Sequence, residues 1–153
     1  MASRALIASL RDRVEIEDLL TLYCTAIDSR DLDLLDRVFT PDAVIDYTRS
    51  GGPRDELPAI RAWLARVLQP FVLLQHMVSN FVIETEGDHG TSVCSFFNPM
   101  GLPGPDGGVQ TTFYGGFYRD RLVRTPAGWR ICERVNDQRY PHGGPVARAP
   151  AVR

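Results

Sequence analysis

Lysine is missing altogether: all 17 basic residues of the chain are arginine. Without a lysine amine there is no Schiff-base chemistry and no covalent hold on pyridoxal phosphate. Cysteine is scarce, and Cys24, Cys94 and Cys132 are odd in number, far apart and set among apolar neighbours. They read as reduced core residues of a cytoplasmic protein, not as a disulfide frame or zinc site. The three histidines, His76, His89 and His142, show no metal-ligand spacing, so no metal is expected. A basic run is lacking too, and a formal net charge of −2 argues against a nucleic-acid footprint. No apolar stretch approaches a bilayer span, and "MASRALIASLRDR" has too short an apolar centre for a signal peptide. "GLPGPDGG" has no strand–loop–helix context and is no phosphate cradle.

What is present suits one globular domain. The chain has 153 residues, 44% apolar and 24% charged, which is enough for a single core and short for two. A domain over residues 1–140 with an irregular Pro/Gly-rich tail over 141–153 is expected. From Val14 to Asp28, Ile16, Leu19, Leu20, Tyr23 and Ile27 recur at helical spacing. "DLDLLDRVF" reads as a second short helix, and "DAVIDYT" as a strand with Ile45 and Tyr47 on one face. After the loop "SGGPRD", a third helix in "ELPAIRAWLARVLQ" carries the stripe Ile60, Trp63, Leu64, Val67, Leu68.

The rest reads as antiparallel sheet, over 71–86, 91–99, 109–125 and 129–137. "EGDHG" and "TPAG" supply tight turns and "GLPGPDGG" a longer hairpin loop. Gly115-Gly116 marks a bulge or sharp bend. Helices followed by long strands make an α+β layout, predicted to be a strongly bent, mixed or antiparallel sheet wrapped as a cone around the N-terminal helices. Its inner face would form an apolar ligand pocket.

His76 raises the chemical question. It stands in "LLQHMVSNFVIE" on the strand face of Leu74, Val78 and Asn80, where burial disfavours a charged ring unless a carboxylate pairs with it. Asp28 closes the first helix, at the end where the dipole disfavours an anion. It is either a turn cap or a carboxylate in search of a partner. Tyr23 and Tyr47 lie on core faces, and a buried phenol needs a hydrogen-bond partner, which a ligand could be.

"YCTAIDSRDLDLLDRVFTPDAVIDYT", "QHMVSNFVIE" and "GGFYRDRLVRTPAGWRICER" resemble the SnoaL-like branch of the nuclear transport factor 2-like superfamily. The resemblance is nearest to a dehydratase group that includes scytalone dehydratase, bile-acid 7α-dehydratase and hexachlorocyclohexane dehydrochlorinase. It implies a cofactor-independent lyase in which His76 is the base and Asp28 orients it, with Tyr23 and Tyr47 as further catalytic residues. Arg124, which corresponds loosely to an arginine of the dehydrochlorinase, is an expected substrate-binding residue. The second histidine that follows a proline in scytalone dehydratase is Met100 here, after Pro99. Trp63, Val78, Phe96, Phe113, Phe117 and Met100 are the expected walls for a hydrophobic polycyclic, polyketide-like or steroid-like substrate. Isomerisation or polyketide cyclisation on the same residues, non-catalytic binding, and a role like that of an oxygenase β subunit are the alternatives. The superfamily further implies a homodimer or homotrimer.

Overall fold

The computed structural model describes residues 2–143. Helix α1 runs Ala2–Ser29, a 3-10 turn Leu32–Leu34 leads into the short α2 (Leu35–Val38), and α3 spans Leu57–Val67. Seven strands complete the α+β fold: β1 (Phe39–Asp46), β2 (Arg54–Glu56), β3 (Leu73–Leu74), β4 (Met77–Glu86), β5 (His89–Pro103), β6 (Val109–Thr125) and β7 (Gly128–His142). They form one open sheet in the order β2-β1-β7-β6-β5-β3, with β4 also paired to β5. Only β1 and β7 run parallel, so the sheet is mixed.

Helix α1 is longer than its apolar pattern. Ile16, Leu20, Tyr23 and Ile27 are buried, whereas Leu6, Ile7, Leu10 and Val14 are exposed. The first half therefore has no core to pack on. Its helix is carried by local propensity, by the i,i+4 pairs Arg11–Glu15 and Arg13–Glu17, both 2.8 Å, and by Asp12, which accepts from Arg124 and Trp129 of the sheet. The stretch expected as a second helix divides into a 3-10 turn and a single α turn. The core joins α1 and α3 to the inner sheet face through Leu20, Ile27, Ile60, Leu64, Ile45, Leu122 and Ile131.

Three of the register irregularities in the sheet decide which side chains face inward. In β4 the register shifts between Ser79 and Val82, with Asn80 in the left-handed region at φ 56°. In β6–β7 it shifts between Gly115 and Gly116, at the expected glycine pair, and again between Arg121 and Leu122. The last shift opposes Arg121 to Glu133 and Leu122 to Ile131, leaving Cys132 as an extra residue. A strand residue two beyond Ile131 would ordinarily face inward; the bulge hands that role to Arg134, Asn136 and then Gln138.

The hairpin loop between β5 and β6 is shorter than expected, since the strands extend to Pro103 and from Val109. Strand β7 likewise runs through Pro141 and His142, which the sequence placed in an irregular tail. Residues 144–153 of that tail lie outside the described residues. No described helix is long and apolar enough to cross a membrane.

Candidate active site

His76 does not lie within a strand. It occupies the gap between β3 and β4, where Leu74 pairs with Met100 and Met77 with Phe97. Continuing that register sets Gln75 opposite Pro99 and His76 opposite Asn98. Gln75 N–H donates to the Pro99 carbonyl at 3.1 Å, and the next amide, of His76, points to the opposite edge, away from β5. The His76 amide meets α1 there, donating to Asp28 Oδ2 at 2.7 Å. The ring Nδ1 lies 2.5 Å from Asp28 Oδ1. One carboxylate thus grips both the backbone and the ring of one histidine.

Asp28 sits in the last turn of α1, where the unpaired carbonyls repel an anion; the two N–H groups of His76 offset that repulsion. The ring is nearly enclosed, with 6% of the His76 side chain exposed against 27% for Asp28. Arg30, left-handed at φ 58° just beyond the helix, donates to the carbonyls of Leu68 (3.4 Å) and Phe71. This strap ties the end of α1 to the segment that leads into His76.

His76 opens onto a cavity of about 340 Å³ between α1, α3 and the sheet. Ile27, Leu64, Val67, Leu68, Phe96 and Met100 supply apolar wall, and Trp63 leans on Tyr47 with ring centroids 5.0 Å apart. Tyr23 from α1 and Tyr47 from the end of β1 share a short hydroxyl–hydroxyl hydrogen bond. Since one hydroxyl donates to the other, one O–H of the pair stays free for a ligand. Burial pushes both phenols well above their usual range, with Arg134 opposing the effect. Both are protonated donors at neutral pH.

Behind the tyrosines lies a charged pair that nothing in the local sequence pattern announced. Arg134 is fully buried and holds Asp120 through two hydrogen bonds, Nε to Oδ1 and an Nη to Oδ2, each 2.7 Å. Its guanidinium stacks 4.2 Å from the Tyr23 ring and 4.5 Å from that of Tyr118. Tyr118 in turn stacks on Phe96 at 4.5 Å.

Of the expected site residues, His76, Asp28, Tyr23 and Tyr47 come together, and Trp63, Phe96 and Met100 line the cavity. Val78 packs against the core but does not border the cavity. Phe113 and Phe117 stand on the other face of the sheet: Phe113 stacks on Phe97 at 5.6 Å, and Phe117 lies under Arg119 at 5.5 Å. Tyr114, Gly116 and Tyr118 alternate with them and face inward. Arg124 is also distant, bound to Asp12 at 2.7 Å and stacked on Trp129 at 4.3 Å. Asn80 does not share the His76 face, because the β4 bulge turns it outward toward Ser95. Sequence reasoning missed Asn98, Tyr114, Tyr118, Asn136 and Gln138, all on the cavity wall. Strand alternation with Phe96 was a usable signal for Asn98; the β7 bulge concealed Asn136 and Gln138. Among the described residues no cluster of three or more His, Cys, Asp or Glu suits a metal ion.

This bent α+β scaffold with a cavity between helices and sheet is that of the nuclear transport factor 2-like proteins. One of cystatin-like fold from Novosphingobium aromaticivorans superposes with TM-score 0.68, at 24% identity, covering 86% of this chain and 84% of that one. Residues 8–135 match the SnoaL-like domain model, and the chain belongs to that family. The uncharacterized protein Rv2910c of Mycobacterium tuberculosis is 47% identical over 129 residues, 84% of this chain and 86% of its own length. The Kfla4162 protein of Kribbella flavida superposes with TM-score 0.80 at 27% identity, over 88% of this chain and 95% of that one. A hexachlorocyclohexane dehydrochlorinase shares the fold with TM-score 0.77, at 18% identity and 94% and 97% coverage.

Proposed function

We infer that the protein is a cofactor-independent lyase of the dehydratase kind, acting on a hydrophobic carbonyl compound, with His76 as base. The observation that carries this reading is the two-point grip of Asp28 on His76 in the wall of the cavity that also holds the Tyr23–Tyr47 pair. A carboxylate that accepts from Nδ1 keeps the proton there and leaves the Nε2 lone pair free toward the cavity. That lone pair takes a proton from carbon adjacent to the substrate carbonyl. The C–H electrons move into the carbonyl, and the free O–H of the tyrosine pair donates to the developing enolate oxygen. The enolate then expels hydroxide from the β carbon, which leaves as water with the proton returned by the imidazolium. Asp28 stabilises the imidazolium in between, as the carboxylate does in a Ser-His-Asp triad. The fold shared with a protein named hexachlorocyclohexane dehydrochlorinase is consistent with an elimination.

The test is solvent-proton exchange. Incubated in heavy water with a panel of enolisable hydroxy-ketones, the wild-type protein should place deuterium beside a carbonyl or release the unsaturated product. His76→Ala should lower that rate by about a hundred- to ten-thousand-fold, the usual contribution of a general base. Tight binding of a panel compound with no exchange by wild-type protein would instead make this a binding protein.

A further inference from the structure

Two buried amides on the cavity wall are left with a hydrogen-bonding atom unused. Asn98 is 4% exposed and Asn136 6%, and the carbonyl oxygen of each is buried with no partner. An unmade hydrogen bond on a buried acceptor is costly in a native interior and calls for an explanation. Both side chains face the same space. Asn98 occupies the register position opposite His76, and its Nδ2 donates to the Tyr118 hydroxyl at 3.4 Å. Asn136 pairs with Tyr118 across β6 and β7. If the Asn98 amide were turned over, its oxygen would accept from Tyr118 and its N–H groups would be the orphans. In either orientation one end of the amide lacks a protein partner.

We propose that Asn98 and Asn136, on either side of Tyr118, are the specificity residues of the cavity, reading hydroxyl groups along one edge of a compact, uncharged ligand. Three observations narrow the class. No arginine, aspartate or glutamate lines the cavity among the described residues, so a carboxylate or phosphate on the ligand would lose its water without a countercharge. The volume of about 340 Å³ is roughly twice that of an engineered cavity known to hold benzene, room for two fused rings between the walls. The acceptors lie on the sheet wall, whereas Ile27, Leu64 and Val67 cover the helix side. The ligand therefore has one hydroxylated edge and one bare edge. A hydroxyl held by Asn98 lies beside the base, on the side from which the proton would be taken. This last point rests on the elimination reading above, while the hydroxyl sites themselves are tested by binding alone.

The experiment uses two probes that differ in one group: a fused two-ring ketone, decalone, and a hydroxydecalone with its hydroxyl on the ring remote from the carbonyl, where it cannot be eliminated. By titration calorimetry the wild-type protein should bind the hydroxylated probe roughly tenfold more tightly, the scale of one neutral hydrogen bond to an otherwise unpaired acceptor. Asn98→Leu or Asn136→Leu, near-isosteric and apolar, should erase the preference while decalone binding persists. Without ligand these variants should melt at the same temperature as wild type or higher, because an orphaned acceptor has been removed. Equal binding of the two probes by wild type, or no binding of the hydroxylated one, overturns the proposal. So does a preference that survives both substitutions, or a lowered melting temperature with the preference intact, which marks the amides as structural. Wild-type measurements suffice if a leucine variant fails to fold. A hydroxyl preference without His76-dependent exchange would sink the elimination and leave the hydroxyl sites standing; exchange without preference would do the reverse.

Discussion

A carboxylate with two oxygens meets two donors on one residue at Asp28, the His76 amide and the ring Nδ1–H. An asparagine there could accept from only one. Facing the backbone amide with its oxygen, it would present its own N–H groups to Nδ1 and drive the ring proton onto Nε2. Asp28→Asn should therefore leave the fold and ligand binding nearly unchanged and lower kcat by at least about a hundredfold, a base held in the wrong tautomer. Steady-state kinetics on whichever hydroxy-ketone is processed, beside a melting curve, checks this. Loss of binding together with rate would mean that Asp28 is a structural strut. At this scale the sequence was informative: family resemblance pointed to His76 and Asp28, and a carboxylate at the wrong end of a helix hinted at a partner. Arg124 went the other way, since its charge is spent on Asp12 and its face on Trp129.

Elements position these residues through a few tight approaches. The turn after β1 brings Gly52 beneath α3, where an added Cβ would lie 2.7 Å from both the Trp63 ring and Tyr47 Cβ. Neither neighbour is free to move, because Trp63 packs on Tyr47 and Tyr47 bonds Tyr23. Gly52→Ala should push Trp63 into the cavity and cost about 1–3 kcal/mol of stability, the usual range for overpacking. Denaturant unfolding gives the stability loss, and Trp63 fluorescence with ligand titration gives the loss of space. Unchanged stability and affinity would show that the turn yields instead. The helix stripes, the hairpin turns and the Gly115-Gly116 bend were all legible as periodicity and punctuation. The bulges at Asn80 and Cys132 were not, because a single extra residue leaves no compositional mark while reversing the facing of everything after it.

Across the whole molecule, burial holds a set of neutral acids protonated. The thiols of Cys24 and Cys94 are pushed up to about 11 and about 12, and Tyr23, Tyr47 and Tyr118 also sit well above their usual range, all through desolvation. In the unfolded chain these groups ionise near 9.0 for cysteine and 10.0 for tyrosine. Above that range the folded state binds more protons than the unfolded one, so stability falls as pH rises. The stabilisation is fully present below about pH 9, the unfolded cysteine value. Melting temperature should thus decline progressively from pH 9 to 11 by calorimetry, with Cys24 and Cys94 unreactive to thiol reagents until unfolding. A flat profile over that interval would contradict the burial of these groups. Arg134 keeps its charge within the same core, with Asp120 beside it as countercharge and acceptor of two hydrogen bonds.

Sequence alone determined the class of fold, the absence of lysine chemistry, the helix and strand stripes, and, through family resemblance, which histidine and which carboxylate to watch. These depend on residue type and near-neighbour spacing, which a linear chain displays openly. Tertiary structure alone decided that Asp28 reaches both the backbone amide and the ring Nδ1 of His76, that Phe96 faces inward while Phe113 and Phe117 face out, and that Arg134 and Asn136 turn toward the centre. Each of those outcomes depends on strand register, and register is set by how the whole sheet bends over the helices, not by any short stretch of residues.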